Sequence, residues 1–133
     1  MLPIHLQTIR LFLHVLAATV WVGGQLTLAG LVPGLRALSP DAPRAVARRF
    51  NRIAWPAYGV LVATGIWNIL ALQTSWTGRY GVTLMIKLLV VAVSGIAAAA
   101  HATSKSTVGL AVWGSVSALS ALGALFLGVM LHG

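Results

Sequence analysis

The stretch IRLFLHVLAATVWVGGQLTLAGLVPG, residues 9–34, decides the fold because it is long and apolar enough to cross a lipid bilayer. A transmembrane helix needs about 20 predominantly apolar residues. His14 lies inside this run, and an ionisable side chain at membrane depth costs roughly 2.5–3.5 kcal/mol on insertion scales. A side chain kept at that cost usually has a ligand, a proton or a partner to bind. The stretch therefore predicts a membrane span that contains a functional histidine.

Three more apolar stretches of similar length follow, at residues 53–72, 80–102 and 107–131. The composition agrees, because 59% of the residues are apolar and only 8% are charged, against about 25% charged residues in ordinary globular proteins. A cleaved signal peptide is the alternative for the first stretch, but its length favours a retained span. The sequence thus predicts an all-α integral membrane four-helix bundle, with up-down-up-down topology and residues 1–133 in a single domain.

The basic residues set the orientation of the spans. Lys105 lies in the third connector, and five of the nine basic residues lie in the first, namely Arg36, Arg44, Arg48, Arg49 and Arg52. Lysine and arginine concentrate on the cytoplasmic side of membrane proteins. Both connectors are therefore predicted to be cytoplasmic, with both termini outside, in the inner or plasma membrane. Residues 43–51 could begin an amphipathic lead into the second helix. This pattern accounts for the formal charge of +8 without nucleic-acid binding.

The chemistry open to the chain is narrow. It has no cysteine, which excludes disulfides, thiolate metal sites and iron–sulfur clusters. Asp41 is its one acidic side chain, and the lack of a second excludes paired-carboxylate catalysis and a carboxylate proton relay within the chain. The sequence identifies no catalytic residue. Histidines, methionines and one intramembrane lysine remain as the groups that could bind a cofactor.

The first span surrounds its histidine with small residues. By helical spacing, His14 shares a face with Ala17, Ala18, Trp21, Gly24 and Gln25. A histidine beside alanines and glycines leaves a flat recess, which a planar macrocycle needs next to its axial ligand. We therefore predict haem b, with His14 as an axial ligand and Trp21 along one edge. The alternative is a packed histidine that hydrogen-bonds to a neighbouring helix.

The third span carries Lys87 at one end of a polar face and His101 at the other. With both termini outside, Lys87 falls in the same outer layer as His14. There it could bind a carboxylate of the cofactor, or it could reach the lipid surface. His101 lies about 21 Å further along the helix axis at 1.5 Å per residue. It therefore belongs to the inner layer, where it could at most hold a separate haem.

The same topology gathers metal-binding side chains at the outer end, namely His5, His14, Met85, Met130 and His132. Imidazole and thioether groups bind both haem iron and copper. His132 is the candidate for a second axial haem ligand, His5 is a poorer one, and a partner subunit could also supply it. The whole set is the candidate copper site. The alternative for His132 is a terminal side chain that binds nothing.

Three motifs occur in order along the chain: LHVLAATVWVGG at residues 13–24, RRFNRIAWPAYGVLVATGIW at residues 48–67 and LMIKLLVVAVSG at residues 84–95. Together they resemble the CopD-like and HemJ-like group of small four-helix membrane proteins. Likeness to the HemJ-like branch implies haem b and protoporphyrinogen oxidation, with roles for His14 and Lys87. Likeness to the CopD-like branch implies copper uptake. The chain departs from the first branch at residues 32–34, where an aromatic-histidine pair is usual, and it lacks the extra spans of the second.

Two classes of function follow. The first is a membrane-embedded b-type haem protein that exchanges electrons with a quinone or another haem protein, with protoporphyrinogen oxidation as its enzymatic variant. The second is a copper-binding or copper-transport protein. A structural or assembly subunit without a cofactor is a third interpretation. A nearby cation helps a haem carboxylate but not a copper site, so Lys87 favours haem. Exposed small-residue faces in so short a chain also predict a homodimer.

Overall fold

The computed structural model describes residues 1–72 and 75–132, which form helices and no strand. The four helices are α1, Leu6–Leu38; α2, Ala42–Ala71; α3, Gly78–Thr103; and α4, Thr107–His132. Each is long and apolar enough to cross a membrane. The predicted fold class is therefore confirmed, because the chain is an all-α, four-helix, multi-pass membrane protein.

The helices are longer than the apolar stretches that predicted them. α2 begins at Ala42 rather than at residue 53. Alanine and arginine in residues 43–51 are good helix formers, and Pro43 lies in the first turn, where its missing N–H is harmless. The predicted amphipathic lead is thus part of the helix itself, and its arginines are exposed. The first connector shrinks to residues 39–41.

The chain divides into two compact units, with the division after residue 73. The first unit is an antiparallel hairpin of α1 and α2, and the second is an antiparallel hairpin of α3 and α4. The up-down order predicted from the sequence is present within each hairpin. A single domain that contains both hairpins stays a prediction.

An irregular turn interrupts α1 near its middle. Residues Thr19–Gly23 are π-helical, between the α-helical segments Leu6–Ala18 and Gly24–Leu38. A π turn adds one residue to the helical repeat, so it rotates the flanking segments by about 100° relative to a continuous α-helix. The common face predicted for His14 and Gln25 assumed a continuous helix. The structure breaks that face at the π turn.

Side chains complete the hydrogen bonding around this turn. The Thr19 hydroxyl donates to the Val15 carbonyl at 2.8 Å, and the Gln25 side-chain amide donates to the Trp21 carbonyl at 3.0 Å. In the lipid interior, a backbone carbonyl without a hydrogen-bond partner has a free-energy cost on the order of several kcal/mol. Gln25 therefore has a local structural role, because it caps the carbonyl of Trp21 one turn earlier in the helix.

Trp21 is the largest residue in the core of the first hairpin and is 3% exposed. Its ring centroid lies 5.4 Å from that of Trp55 and 4.6 Å from that of Tyr58, both on α2. Edge-to-face and tilted contacts of this kind favour close packing. The aromatic cluster thereby fixes α1 against α2 at the level of the π turn.

Two serines hold the middle of the second hairpin together. The Ser94 hydroxyl donates to the Ser117 carbonyl at 3.0 Å, and the Ser117 hydroxyl donates to the Ser94 carbonyl at 3.0 Å. Both residues are buried. Small residues let the two backbones approach closely enough for this exchange. The pair therefore sets the register of α3 on α4.

We expect Ser94→Ala and Ser117→Ala each to destabilise the protein by about 0.6 kcal/mol and at most about 1.7 kcal/mol, the average and the maximum measured for interhelical hydrogen bonds in membranes. Reversible unfolding in mixed micelles measures the change. Ser120→Ala is the matched control, because the Ser120 hydroxyl bonds to the Val116 carbonyl of its own helix at 2.5 Å. A control variant as destabilised as the other two would contradict an interhelical role for the pair.

Candidate functional site

His14 is half-buried on α1 and faces Thr64 of α2. Its Nδ1 lies 2.8 Å from the Thr64 hydroxyl oxygen. That hydroxyl also lies 2.7 Å from the Val60 carbonyl oxygen, which can only accept a hydrogen bond. The hydroxyl proton is therefore donated to Val60, and the bond to His14 is donated by its Nδ1–H. This arrangement leaves the lone pair of the imidazole on Nε2.

The backbone of α2 also determines what lies beside the imidazole ring. Gly65 follows Thr64, and a Cβ built at this glycine would lie 3.5 Å from Cε1 of His14. An alanine there would be in ordinary van der Waals contact with the ring. Thr64 itself is 5% exposed, so its hydroxyl is held in the helix interface. The structure thus shows a hydrogen bond from Nδ1 of His14 to the neighbouring helix.

Arg10 lies one helical turn before His14 and is 6% exposed. Its guanidinium carbon lies 5.9 Å from the centroid of the Trp67 ring on α2. Its Nε is buried and has no hydrogen-bond partner, and the same holds for Oδ1 of Asn68, the residue after Trp67. An unpartnered buried donor or acceptor costs about 1–3 kcal/mol. The sole acidic side chain, Asp41, lies at the opposite end of α2 and gives Arg10 no counter-ion.

These residues form a polar column along the first hairpin, which we define as Arg10, His14, Thr64 and Asn68. Arg10 and His14 are four residues apart on α1, as are Thr64 and Asn68 on α2, so each pair lies on one helix face. The helices are antiparallel, which places His14 and Thr64 in one layer and Arg10 and Asn68 in the next. The two layers are about 6 Å apart. The polar column thus combines an imidazole acceptor with a buried cation.

Two apolar grooves on the surface of the first hairpin lie between α1 and α2. One, of about 200 Å³, is lined by Leu13, Leu16, Ala17, Val20, Ala57 and Val60. The other, of about 260 Å³, is lined by Gly24, Thr27, Leu28, Leu31, Val46 and Phe50. Both are smaller than the roughly 300–1,000 Å³ of typical ligand pockets. Neither groove is lined by a residue of the polar column.

Lys87 is half-buried on α3 in the second hairpin. Its Nζ lies 3.3 Å from the position that a Cβ would take at Gly128 of α4. The missing side chain of this glycine makes room for the ammonium group near the end of α4. The structure thus places the cation against a neighbouring helix. Its predicted contact with a cofactor carboxylate stays a prediction.

The remaining predicted ligands lie at helix ends or on exposed surfaces. His5 caps the start of α1, and its backbone N–H donates to the Thr8 hydroxyl at 3.4 Å. Met85 and Met130 are 48% and 53% exposed. His132 is exposed in the last turn of α4. Across residues 1–72 and 75–132, no group of three or more histidine or acidic side chains could hold a metal ion. The copper set and the second haem ligand stay predictions.

His101 repeats the hydrogen-bonding pattern of His14 in the second hairpin. Its Nδ1 donates to the Leu110 carbonyl at 2.8 Å, so its lone pair also lies on Nε2. Its ring packs over Gly114 of α4, where a Cβ would lie 3.0 Å from Nδ1. His101 is thus a structural counterpart of His14 and a natural control for it.

Sequence reasoning missed three members of the polar column. Thr64 lies within the second motif, but nothing in that motif indicates that it contacts His14. Arg10 lies at the start of the first apolar stretch, where a flanking charge is expected, but α1 begins at Leu6 and buries Arg10 in its second turn. Asn68 follows Thr64 by four residues. That spacing of polar residues in an apolar span is the signal that could have identified a polar face on α2.

The chain was compared with protein-family models, curated proteins and solved structures. It matches none of them. The likeness to CopD-like and HemJ-like proteins therefore rests on the motifs at residues 13–24, 48–67 and 84–95, and it stays a prediction.

Proposed function

We propose that the chain is a membrane-embedded b-type haem protein that transfers electrons, with His14 as an axial ligand through Nε2. The observation that carries this proposal is the hydrogen bond from Nδ1 of His14 to Thr64. Metal-ligating histidines almost always donate their other ring N–H to a neighbouring group, which fixes the tautomer and the ring orientation. Thr64 supplies that acceptor from a buried position on the partner helix.

The residues of the chain would bind and orient the cofactor. Thr64 holds the imidazole plane, and Gly65 keeps the adjoining edge of the ring clear of side chains. Lys87 and His132 belong to the second hairpin, and their roles as a carboxylate partner and a second ligand stay predictions from the sequence. Bound haem would supply one-electron exchange at membrane depth, with a quinone or another haem protein as the redox partner.

Electron transfer fits the chain better than its enzymatic variant, protoporphyrinogen oxidation. Oxidising a porphyrinogen removes protons as well as electrons, and a proton relay in a membrane usually uses carboxylates and histidines. Asp41 is the one acidic side chain and stands at the start of α2 rather than in a span. Electron transfer alone needs no such relay. Porphyrin oxidation is therefore our second candidate function. For either function, the proposed location is the inner or plasma membrane.

The test is an absorption spectrum of the protein purified in a gentle detergent from cells with adequate haem. We expect a Soret band, with sharp α and β bands after reduction. The mass of the same sample should correspond to a homodimer, because exposed small-residue faces favour pairing in so short a chain. A colourless protein that binds Cu(I) with the predicted copper set would instead favour copper transport. A colourless protein that binds neither would support the structural subunit.

A further inference from the structure

The larger groove of the first hairpin lies beside exposed arginines, and we call it the Phe50 groove. On α1 it runs from Gly24 to Leu31, which is about 10 Å along the helix axis at 1.5 Å per residue. On α2 it is lined by Val46 and Phe50. The Phe50 ring occupies the position that a Cβ would take at Gly24. The Phe50 groove therefore starts on the side of residues 39–41 and ends at this ring.

α2 brings positive charge to the level of the Phe50 groove through four exposed arginines, namely Arg44, Arg48, Arg49 and Arg52. They differ in where they lie around the helix. At about 100° per residue, Arg49 is about 60° from Val46, whereas Arg48 is about 160° from it. Arg49 is therefore on the rim of the Phe50 groove, and Arg48 faces away from it.

The chain places no carboxylate beside Arg49. Asp41 is the one acidic side chain, and it precedes Arg49 by eight residues, about 12 Å along the helix axis. The Cα–Cβ bond of a helical residue tilts toward the start of the helix. A long side chain at this position can therefore cover apolar surface with its stem and hold its charge toward residues 39–41, where the headgroup layer is predicted.

We propose that the Phe50 groove binds an anionic phospholipid, with an acyl chain along the groove and the phosphate at Arg49. A guanidinium holds phosphate oxygens with two parallel hydrogen bonds. In the predicted topology these arginines face the cytoplasmic leaflet, which carries the anionic lipids. The other groove starts at Ala57 on α2, five residues beyond Arg52, so it lies away from this charge. This inference is independent of the proposed haem.

The experiment is a lipid titration of the full chain in detergent, read by native mass spectrometry. The probes are phosphatidylglycerol and phosphatidylcholine with the same acyl chains. We expect a preference for phosphatidylglycerol that Arg49→Gln lowers roughly fivefold, the effect of one arginine near an anionic lipid surface. Arg48→Gln is the matched control, because it removes the same charge from the adjacent position and should leave the preference unchanged. Arg49→Lys keeps the charge and should lie between.

A second pair of variants tests the Phe50 groove itself. Thr27 lines this groove and Leu26 does not, and both side chains are exposed. Thr27→Trp should fill the groove and lower the preference for phosphatidylglycerol to the level of Arg49→Gln, whereas Leu26→Trp should not. Combining Thr27→Trp with Arg49→Gln should cause no further loss, because both changes act on one site. Circular dichroism and gel filtration establish that the variants are folded.

Four outcomes would overturn the assignment. Equal losses in Arg48→Gln and Arg49→Gln would show a general attraction to surface charge. An unchanged preference in Thr27→Trp would place the lipid elsewhere, and a dimer lost in the same variant would assign the Phe50 groove to a second copy of the chain. Competition by glycerol phosphate at the concentration of the lipid would assign Arg49 to a free phosphate. Equal binding of the two lipids by the wild type would remove the site altogether.

Discussion

We expect His14→Ala to abolish the Soret band of the purified protein, with a loss of haem affinity larger than that of any other single substitution considered. The reason is that the hydrogen bond from Nδ1 to Thr64 orients the imidazole that we propose as the axial ligand. Removing the ring would remove the proposed ligand itself. Imidazole added to the buffer should enter the space and restore part of the spectrum, which separates loss of a ligand from loss of the fold.

His101→Ala is the matched control, because that ring has the same tautomer and also packs over a glycine. It should leave the spectrum unchanged. If His101→Ala removes the haem and His14→Ala does not, the cofactor belongs to the second hairpin. Thr64→Val tests the orienting bond, since valine matches threonine in shape but has no hydroxyl. Loss of such a partner typically costs 10- to 100-fold, roughly, in metal affinity.

The second large effect concerns orientation in the membrane, and it is an all-or-none result. Alkaline phosphatase fused after His132 should be active, because the enzyme folds only outside the cytoplasm, and green fluorescent protein fused there should be dark. The same reporters inserted in residues 39–41 should give the opposite result. The physical reason is the run of exposed arginines at the start of α2, which favours the cytoplasmic side.

A fluorescent C-terminal fusion would contradict this topology. His14 and His101 would then each lie toward the opposite side of the membrane from the one predicted. Replacing Arg44, Arg48 and Arg49 with glutamine provides the internal control. If positive charge sets the orientation, this variant should show mixed reporter activity. If the orientation is unchanged, other parts of the chain determine it.

The fold could be predicted from the sequence because lipid imposes a simple requirement. Every backbone polar group in the membrane must bond within the chain, so about 20 apolar residues imply a helix. Helix ends were less predictable. The helices continue into water for as long as the local residues favour helix, as residues 43–51 do, and no apolar pattern marks that limit.

The site could be predicted only where a residue is unusual by itself. His14 stands out because an ionisable group in lipid is rare. Thr64 does not, since threonine is common in spans and its partner depends on the register between α1 and α2. Arg10 does not stand out either, because arginines near helix ends usually extend to the lipid surface. Its burial depends on Trp67, which packs against it only in the folded hairpin.

The π turn at Thr19–Gly23 has a consequence for how this span compares with spans of other proteins. A related chain with one residue fewer here would have a continuous α-helix of ordinary repeat, with the polar column and the far half of α1 in a different phase. An alignment without a gap inside the span would then match either His14 or Gln25 to its structural equivalent, but not both. Insertions and deletions are normally sought in loops. In this protein the π turn marks a position inside a membrane span where they should also be sought.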